Sequence, residues 1–210
     1  MASEARLLNH TVHRCLTASG DPAAAARFLI AQGAGSLMSF GIAGGLDEAL
    51  LPGTVIVATC VIDSRGERFD CHPLWRDGLM AALDDQSPVA ATLLGSDRPL
   101  ATIADKRSFA AAAAAVDMES HILARVAAGA GLPFAAIRAI ADPAMRALPS
   151  AALAGWSDRG ETRIAPVLWQ LARRPWQLPA LLRVALDTRK ALAALGRCAD
   201  SPGLLYQRSL

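Results

Sequence analysis

Two apolar runs that each end in acid constrain this chain more than any other feature. The first is Ala115-Val116-Asp117-Met118-Glu119-Ser120-His121. The second is Phe134-Ala135-Ala136-Ile137, followed by Arg138-Ala139-Ile140-Ala141-Asp142. Gly131-Leu132-Pro133 punctuates the gap between them, so Ile122 to Ala130 reads as one helix stopped by Gly131. Phe134 to Ile137 reads as a buried strand. Two carboxylates therefore leave one strand end and a third leaves the next, and in an α/β sheet such ends are where sites are built. Alternation puts Asp117 and Glu119 on one side of their strand, and Arg138 and Asp142 on one side of theirs. The residues themselves leave two readings open. The charges are solvated at strand ends, or they line a pocket holding one ligand-binding carboxylate and one proton donor.

The rest of the chain keeps alternating. Met1 to Leu8 reads as a helix with Ser3 as its cap, and Thr11 to Thr17 as a short strand. Asp21 and Pro22 start a helix that runs to about Gln32 and stops at Gly33. Leu37 to Phe40 is expected to be a short strand feeding a glycine loop, Gly41-Ile42-Ala43-Gly44-Gly45-Leu46. Those glycines suit a plain turn or a close backbone approach to a ligand, and their spacing does not match the dinucleotide fingerprint. Pro52-Gly53 is a turn, Thr54 to Ile62 a β-branched strand, and Ser64 to Glu67 a turn. Pro73 opens a helix to about Leu83, Val89 to Leu94 is a strand, and Lys106 to Ala114 is a helix. The alternation predicts a single α/β domain over residues 1–210. It has a mostly parallel or mixed central sheet flanked by helices, and a helical C-terminal tail.

With 210 residues and a net charge of +2, the chain can bury one core but carries no global nucleic-acid signature. The charge is uneven. Residues 159–210 hold nine Lys/Arg and three Asp/Glu, a local +6, against a local −4 over residues 1–158. In this basic amphipathic tail, Arg163 to Arg174 sets Ile164, Val167, Leu168 and Leu171 on one face. Pro175 breaks it. Leu181, Leu182, Ala185, Leu192 and Leu195 then cluster again, and Trp156, Trp169 and Trp176 accompany them. Core-packing helices with solvated basic faces and an element lying on a membrane surface both have this composition. Cys15, Cys60, Cys71 and Cys198 fit no zinc template, so no metal is expected and free buried thiols are. Met1 to Arg6 lead into no secretory signal, and no apolar run reaches the ~18 residues of a span. A cytoplasmic protein, peripheral at most to the inner membrane face, is expected.

Three blocks in order resemble the nucleoside phosphorylase/nucleosidase superfamily. They are Phe40-Gly41-Ile42-Ala43-Gly44-Gly45-Leu46, Val116-Asp117-Met118-Glu119-Ser120 and Arg138-Ala139-Ile140-Ala141-Asp142. Methylthioadenosine/S-adenosylhomocysteine nucleosidases show the same order. The chain is also similar to the hopanoid-biosynthesis-associated branch, through Ser39 to Asp47, Gly95-Ser96-Asp97-Arg98-Pro99, Asp117 to His121, Asp142-Pro143-Ala144 and the Arg173-Arg174-Pro175 tail.

The resemblance implies a phosphorylase/nucleosidase fold that releases adenine from adenosylhopane, by water or by inorganic phosphate as co-substrate, with no other cofactor. A soluble-substrate purine nucleosidase is the alternative, and a catalytically weak lipid-surface protein of the same fold is another. The implied catalytic residues are Asp142, which protonates the purine at N7, and Glu4, which orients an attacking water. Glu119 is implied to hold the ribose hydroxyls, Met118 to pack on the sugar, and Ala43, Gly44 and Gly45 to line the nucleoside site. Expected partners are a nucleoside with a lipid tail and further copies of the chain. Two departures stand out. Ala141 replaces a serine, and the chain opens inside the motif at Ala2-Ser3-Glu4, so an N-terminal strand is expected to be missing.

Overall fold

Strands and helices alternate as the hydrophobic pattern requires over residues 21–154, 164–201 and 204, which the computed structural model describes. In order they are α1 (Pro22–Ala31), β1 (Leu37–Gly45), β2 (Val55–Asp63), β3 (Arg68–Asp70), α2 (Pro73–Ala82), β4 (Val89–Gly95) and α3 (Ile103–Phe109). Then come β5 (Ala115–Asp117), α4 (Ser120–Gly129), β6 (Phe134–Asp142), α5 (Ser150–Ala154), α6 (Ile164–Arg173) and α7 (Leu178–Asp200). The expected helix and strand before residue 21 lie outside the described residues, as do Glu4, Cys15 and Trp156.

All six strands form one sheet in the order β3-β2-β4-β5-β1-β6, and β2 also pairs with β6. That extra pairing, antiparallel at Val55 to Val57, closes β2-β4-β5-β1-β6 into a ring, with β3 paired to β2 outside it. β1 is parallel to β6 and antiparallel to β5, while β4 is parallel to both β2 and β5. The sheet is mixed, within the expectation. Because helices cover both faces of β6, α7 on one and α1 and α4 on the other, it carries no alternation of burial. Eight of its nine residues are buried, which reads as a continuous apolar run.

Each face of the sheet has its own core. On one, Val55, Val57, Ile137 and Ala139 meet Trp75 and Leu79 of α2 and Ala191, Leu195 and Cys198 of α7. On the other, Ile56, Val61, Leu93, Ala136 and Ile140 meet Ala26 of α1 and Ala124 and Ala127 of α4. Cys60, Cys71 and Cys198 are buried free thiols. Burial pushes Cys71 up to about 12 and Cys198 to about 11, so neither is a nucleophile at neutral pH.

The structure differs from the pattern in four places. The expected glycine loop is strand, because β1 continues through Gly45 with Gly41 to Ala43 paired to Arg138 to Ile140. β3 is too short and too exposed to show a period. α3 starts earlier than Lys106 and ends before Ala114. Thr102 and Asp105 close a reciprocal capping box at its start, with Asp105 N to Thr102 Oγ1 at 3.0 Å. The last helix begins before the cluster that opens at Leu181, because α7 starts at Leu178 with Pro179 in its first turn, where the missing N–H costs nothing.

Candidate active site

Four strands end in a carboxylate; Asp70 of β3 is exposed, and the structure treats each of the other three differently. Asp63 closes β2. Its Oδ1 accepts the amides of Arg65 and Glu67 at 2.9 and 2.8 Å. Its Oδ2 accepts from Arg125 Nη2 at 2.5 Å. Burial alone would raise its pKa, but those amides and the guanidinium outweigh it and leave Asp63 below the usual carboxylate value.

Asp117 closes β5 and is buried against Arg138. Its Oδ2 accepts from Arg138 Nε and Nη2 at 3.0 and 2.6 Å, and from the amides of Ser120 and Glu119 at 2.9 and 3.3 Å. Arg138 also donates to Ser39 Oγ at 2.6 Å and Ser120 Oγ at 2.9 Å. This knot ties β1, β5, α4 and β6 together. It overturns the expected sharing of a side by Asp117 and Glu119. The strand ends at Asp117, and Glu119 has turned away with φ −128° and ψ −31° to cap α4. The expected sharing by Arg138 and Asp142 fails too. Between Ala43 and Gly44 the register slips, so Ala43 faces Ile140 but Gly44 faces Asp142. The one extra residue on β6 breaks the alternation.

Asp142 closes β6. Lys106 Nζ donates to its Oδ2 at 2.5 Å and to the carbonyls of Pro143 and Arg146 at 2.9 and 2.8 Å. All three ammonium protons are thereby used. Lys106 is 1 % exposed and Asp142 15 %. Asp142 Oδ1 is buried with no hydrogen-bond partner among the described residues. Burial raises the Asp142 carboxyl above its ordinary value, and the Lys106 ammonium pulls it down without cancelling that. The serine expected before this carboxylate is absent, Ala141 being buried in the core; Lys106 holds Asp142 instead.

Of the expected substrate-lining residues, those at the end of β1 lie beside this carboxylate. Ala43, Gly44 and Gly45 end β1 alongside Asp142. A Cβ on Gly44 would meet Val116 Cγ1 at 3.3 Å and Asp142 Oδ2 at 3.7 Å, so a side chain there would press on Val116 beside the carboxylate. Met118 and Glu119 are half-buried at the exit from β5. Gly44 pairs with Val116 on its other side, and Glu119 lies three residues further on. Glu119 and Asp142 are thus spaced along β1 rather than gathered at one point. At the neighbouring end of β4, His121 lies so close over Gly95 that a Cβ there would stand 2.2 Å from His121 Cβ. His121 Nε2 meets Asp97 Oδ1 at 3.2 Å.

Reading the sequence missed Lys106, which it took for the start of a helix. A signal was present. The chain has nineteen arginines and only two lysines, and a compact ammonium fits a carbonyl cage that a guanidinium fork does not. Glu4, expected to orient water, lies outside the described residues.

Comparison with known proteins agrees with this geometry. The chain belongs to the phosphorylase superfamily, whose profile matches residues 6–173. Among solved structures it is similar to the 5′-methylthioadenosine/S-adenosylhomocysteine nucleosidase of Campylobacter jejuni, at TM-score 0.62 and 14 % identity over 94 % of this chain and 96 % of that one. A variant of the Helicobacter pylori nucleosidase with 5′-methylthioadenosine in its active site matches at TM-score 0.58 and 14 % identity, over 85 % and 74 % of the two chains. The futalosine hydrolase of Helicobacter pylori matches at TM-score 0.53 and 18 % identity, over 58 % of this chain and 63 % of its own. The present chain thus spans less than two thirds of that hydrolase. A search among curated proteins found no match.

Proposed function

We propose that this chain cleaves the N-ribosyl bond of a purine nucleoside, with Asp142 as the proton donor. One observation carries the reading. Asp142 is a desolvated carboxyl whose Oδ2 is held by Lys106 while its Oδ1 lacks a partner. A carboxyl with a raised pKa and one oxygen free to act is suited to give a proton.

In this reading the substrate lies along the end of β1. Asp142 donates its proton to N7 of the purine as the bond from N9 to the anomeric carbon breaks. The bonding pair leaves with the base, and the sugar becomes oxocarbenium-like. Glu119, half-buried at the start of α4, accepts hydrogen bonds from the ribose hydroxyls and favours positive charge at the anomeric carbon. Met118 packs on the sugar, and the backbone of Ala43, Gly44 and Gly45 lies against the nucleoside. Water, oriented by Glu4, or inorganic phosphate adds to the anomeric carbon. Lys106 fixes the Asp142 carboxylate and stabilises it after the proton has gone. The finer proposal is that the nucleoside is adenosylhopane. A substrate with a polycyclic lipid tail suits a chain whose tail helices expose leucine and tryptophan beside arginine.

The test supplies the purified full chain with adenosylhopane and, separately, with 5′-methylthioadenosine, with and without phosphate. Adenine release from the lipid nucleoside is expected. A sugar product that keeps its 5′ substituent and has a free anomeric hydroxyl marks water as the nucleophile, and its 1-phosphate marks phosphate. Release from the soluble nucleoside alone would overturn the lipid substrate, and no release from either would overturn the activity.

A further inference from the structure

The two halves of α7 meet different surroundings. From Asp187 onward the helix is anchored. Ala191, Ala194, Leu195, Cys198 and Ala199 are buried, and they pack in the core with Val55, Val57, Ile137 and Ala139 of the sheet. Before Asp187 no residue of the helix is buried. Leu178, Leu182 and Leu186 recur every fourth residue, which makes one stripe, and they are 44, 56 and 57 % exposed. Trp176, directly before the helix, is 70 % exposed, and Trp169 on α6 is 57 % exposed. Scattered apolar residues are normal on a surface, but a continuous stripe marks a place where something docks.

The charge around the stripe is positive. Leu186 rims a groove of about 580 Å³ lined also by Arg146, Arg183, Asp187, Arg189, Lys190 and Ala193. Its one acid, Asp187, is engaged by Arg146 and lies 3.9 Å from Lys190. Arg174 is exposed just before Trp176, and Arg173 stacks 4.1 Å over the Trp169 ring. Leucine and tryptophan beside arginine and lysine is the composition of a helix that lies in a bilayer interface.

We propose that Trp176 and the N-terminal half of α7 form a docking surface for an anionic lipid bilayer. Leu178, Leu182 and Leu186 enter the boundary of the acyl chains. Arg174, Arg183, Arg189 and Lys190 meet the headgroup phosphates. A second copy of the chain is the competing occupant, but it would set two basic faces against each other. An anionic surface gains from the same cations. The inference rests on this surface alone and does not depend on the proposed reaction.

The experiment sediments the full chain with vesicles of phosphatidylcholine containing phosphatidylglycerol, and with vesicles of phosphatidylcholine alone. Binding is expected only to the anionic vesicles at low salt, with release at high salt. Arg183→Gln and Arg189→Gln should each weaken partitioning roughly fivefold, and Leu182→Asn with Leu186→Asn should abolish it. All four positions are exposed, so melting temperatures should not change. Absent binding, salt-insensitive binding, or unchanged binding by the variants would overturn the proposal. So would a concentration-dependent dimer that the leucine substitutions dissociate, seen without vesicle binding. Vesicle binding by a chain that releases no base from any nucleoside would leave this surface standing and remove only the proposed activity.

Discussion

Asp63 and Asp142 each end a strand and each hold a basic group at 2.5 Å, yet their carboxyls shift in opposite directions. The cation is therefore not what separates them. Asp63 has two backbone amides on its other oxygen, supplied by the turn over residues 64–67, so its charge is solvated by the fold. Asp142 has no donor there among the described residues, and burial wins. At Asp117 four donors converge on Oδ2, while its Oδ1 is buried without a hydrogen-bond partner among the described residues. Supplying donors to both oxygens of Asp63 and to only one oxygen of Asp142 sets these two carboxyls apart.

That comparison can be broken from its structural side first. Arg138→Met strips Asp117 of its guanidinium and leaves a buried carboxylate, which should cost about 3–5 kcal/mol in urea unfolding. A loss below ~1 kcal/mol would mean that the knot is not structural. Lys106→Met removes the cation beside a carboxyl that can protonate, so the stability loss should be smaller, about 1–3 kcal/mol. With the cation gone the Asp142 pKa should rise further, and the high-pH limb of the rate profile should move to higher pH. An unmoved limb would show that Lys106 does not act on Asp142. Gly44→Ala sets a methyl 3.7 Å from Asp142 Oδ2 and 3.3 Å from Val116 Cγ1. It should cost about 1 kcal/mol of stability and reduce turnover more than melting temperature; unchanged turnover would put the substrate elsewhere.

The smallest effect is in melting temperature against pH. A lowered pKa gives stability that is present above the ordinary carboxylate range and lost as pH falls through the folded value. Asp63→Asn should therefore cost more at neutral than at acid pH. A raised pKa gives stability that is present below the ordinary range and lost as pH rises through the folded value. Asp142→Asn should therefore gain on the wild type as pH rises. Parallel pH trends for the two variants would erase the contrast.

Much of this was legible in the sequence. The strand-helix-strand run into Asp142 follows from Gly131, Pro133 and the apolar residues after them. The helix start at Asp21 and Pro22, and the break at Pro175, follow from capping and backbone chemistry. Asp142, Glu119 and Gly44 were marked by their blocks, and the proposed site is built on them. What stayed hidden was non-local. Nothing near Asp117 announces that Arg138, twenty-one residues on, will pair with it. Nothing near Asp142 announces that Lys106, thirty-six residues back, will hold it. The continuation of β1 through its glycines is set by pairing with β6, which local propensity does not contain.

The central claim is that Asp142 carries the proton to the leaving base. The most direct measurement is adenine release by Asp142→Asn, made on protein whose circular dichroism and melting temperature match the wild type. The amide keeps the size of the carboxyl but cannot give up a carboxylic proton, so turnover should fall by roughly 10²–10⁴. Turnover close to that of the wild type would contradict the account and return Asp142 to the structural carboxylates beside Asp63 and Asp117.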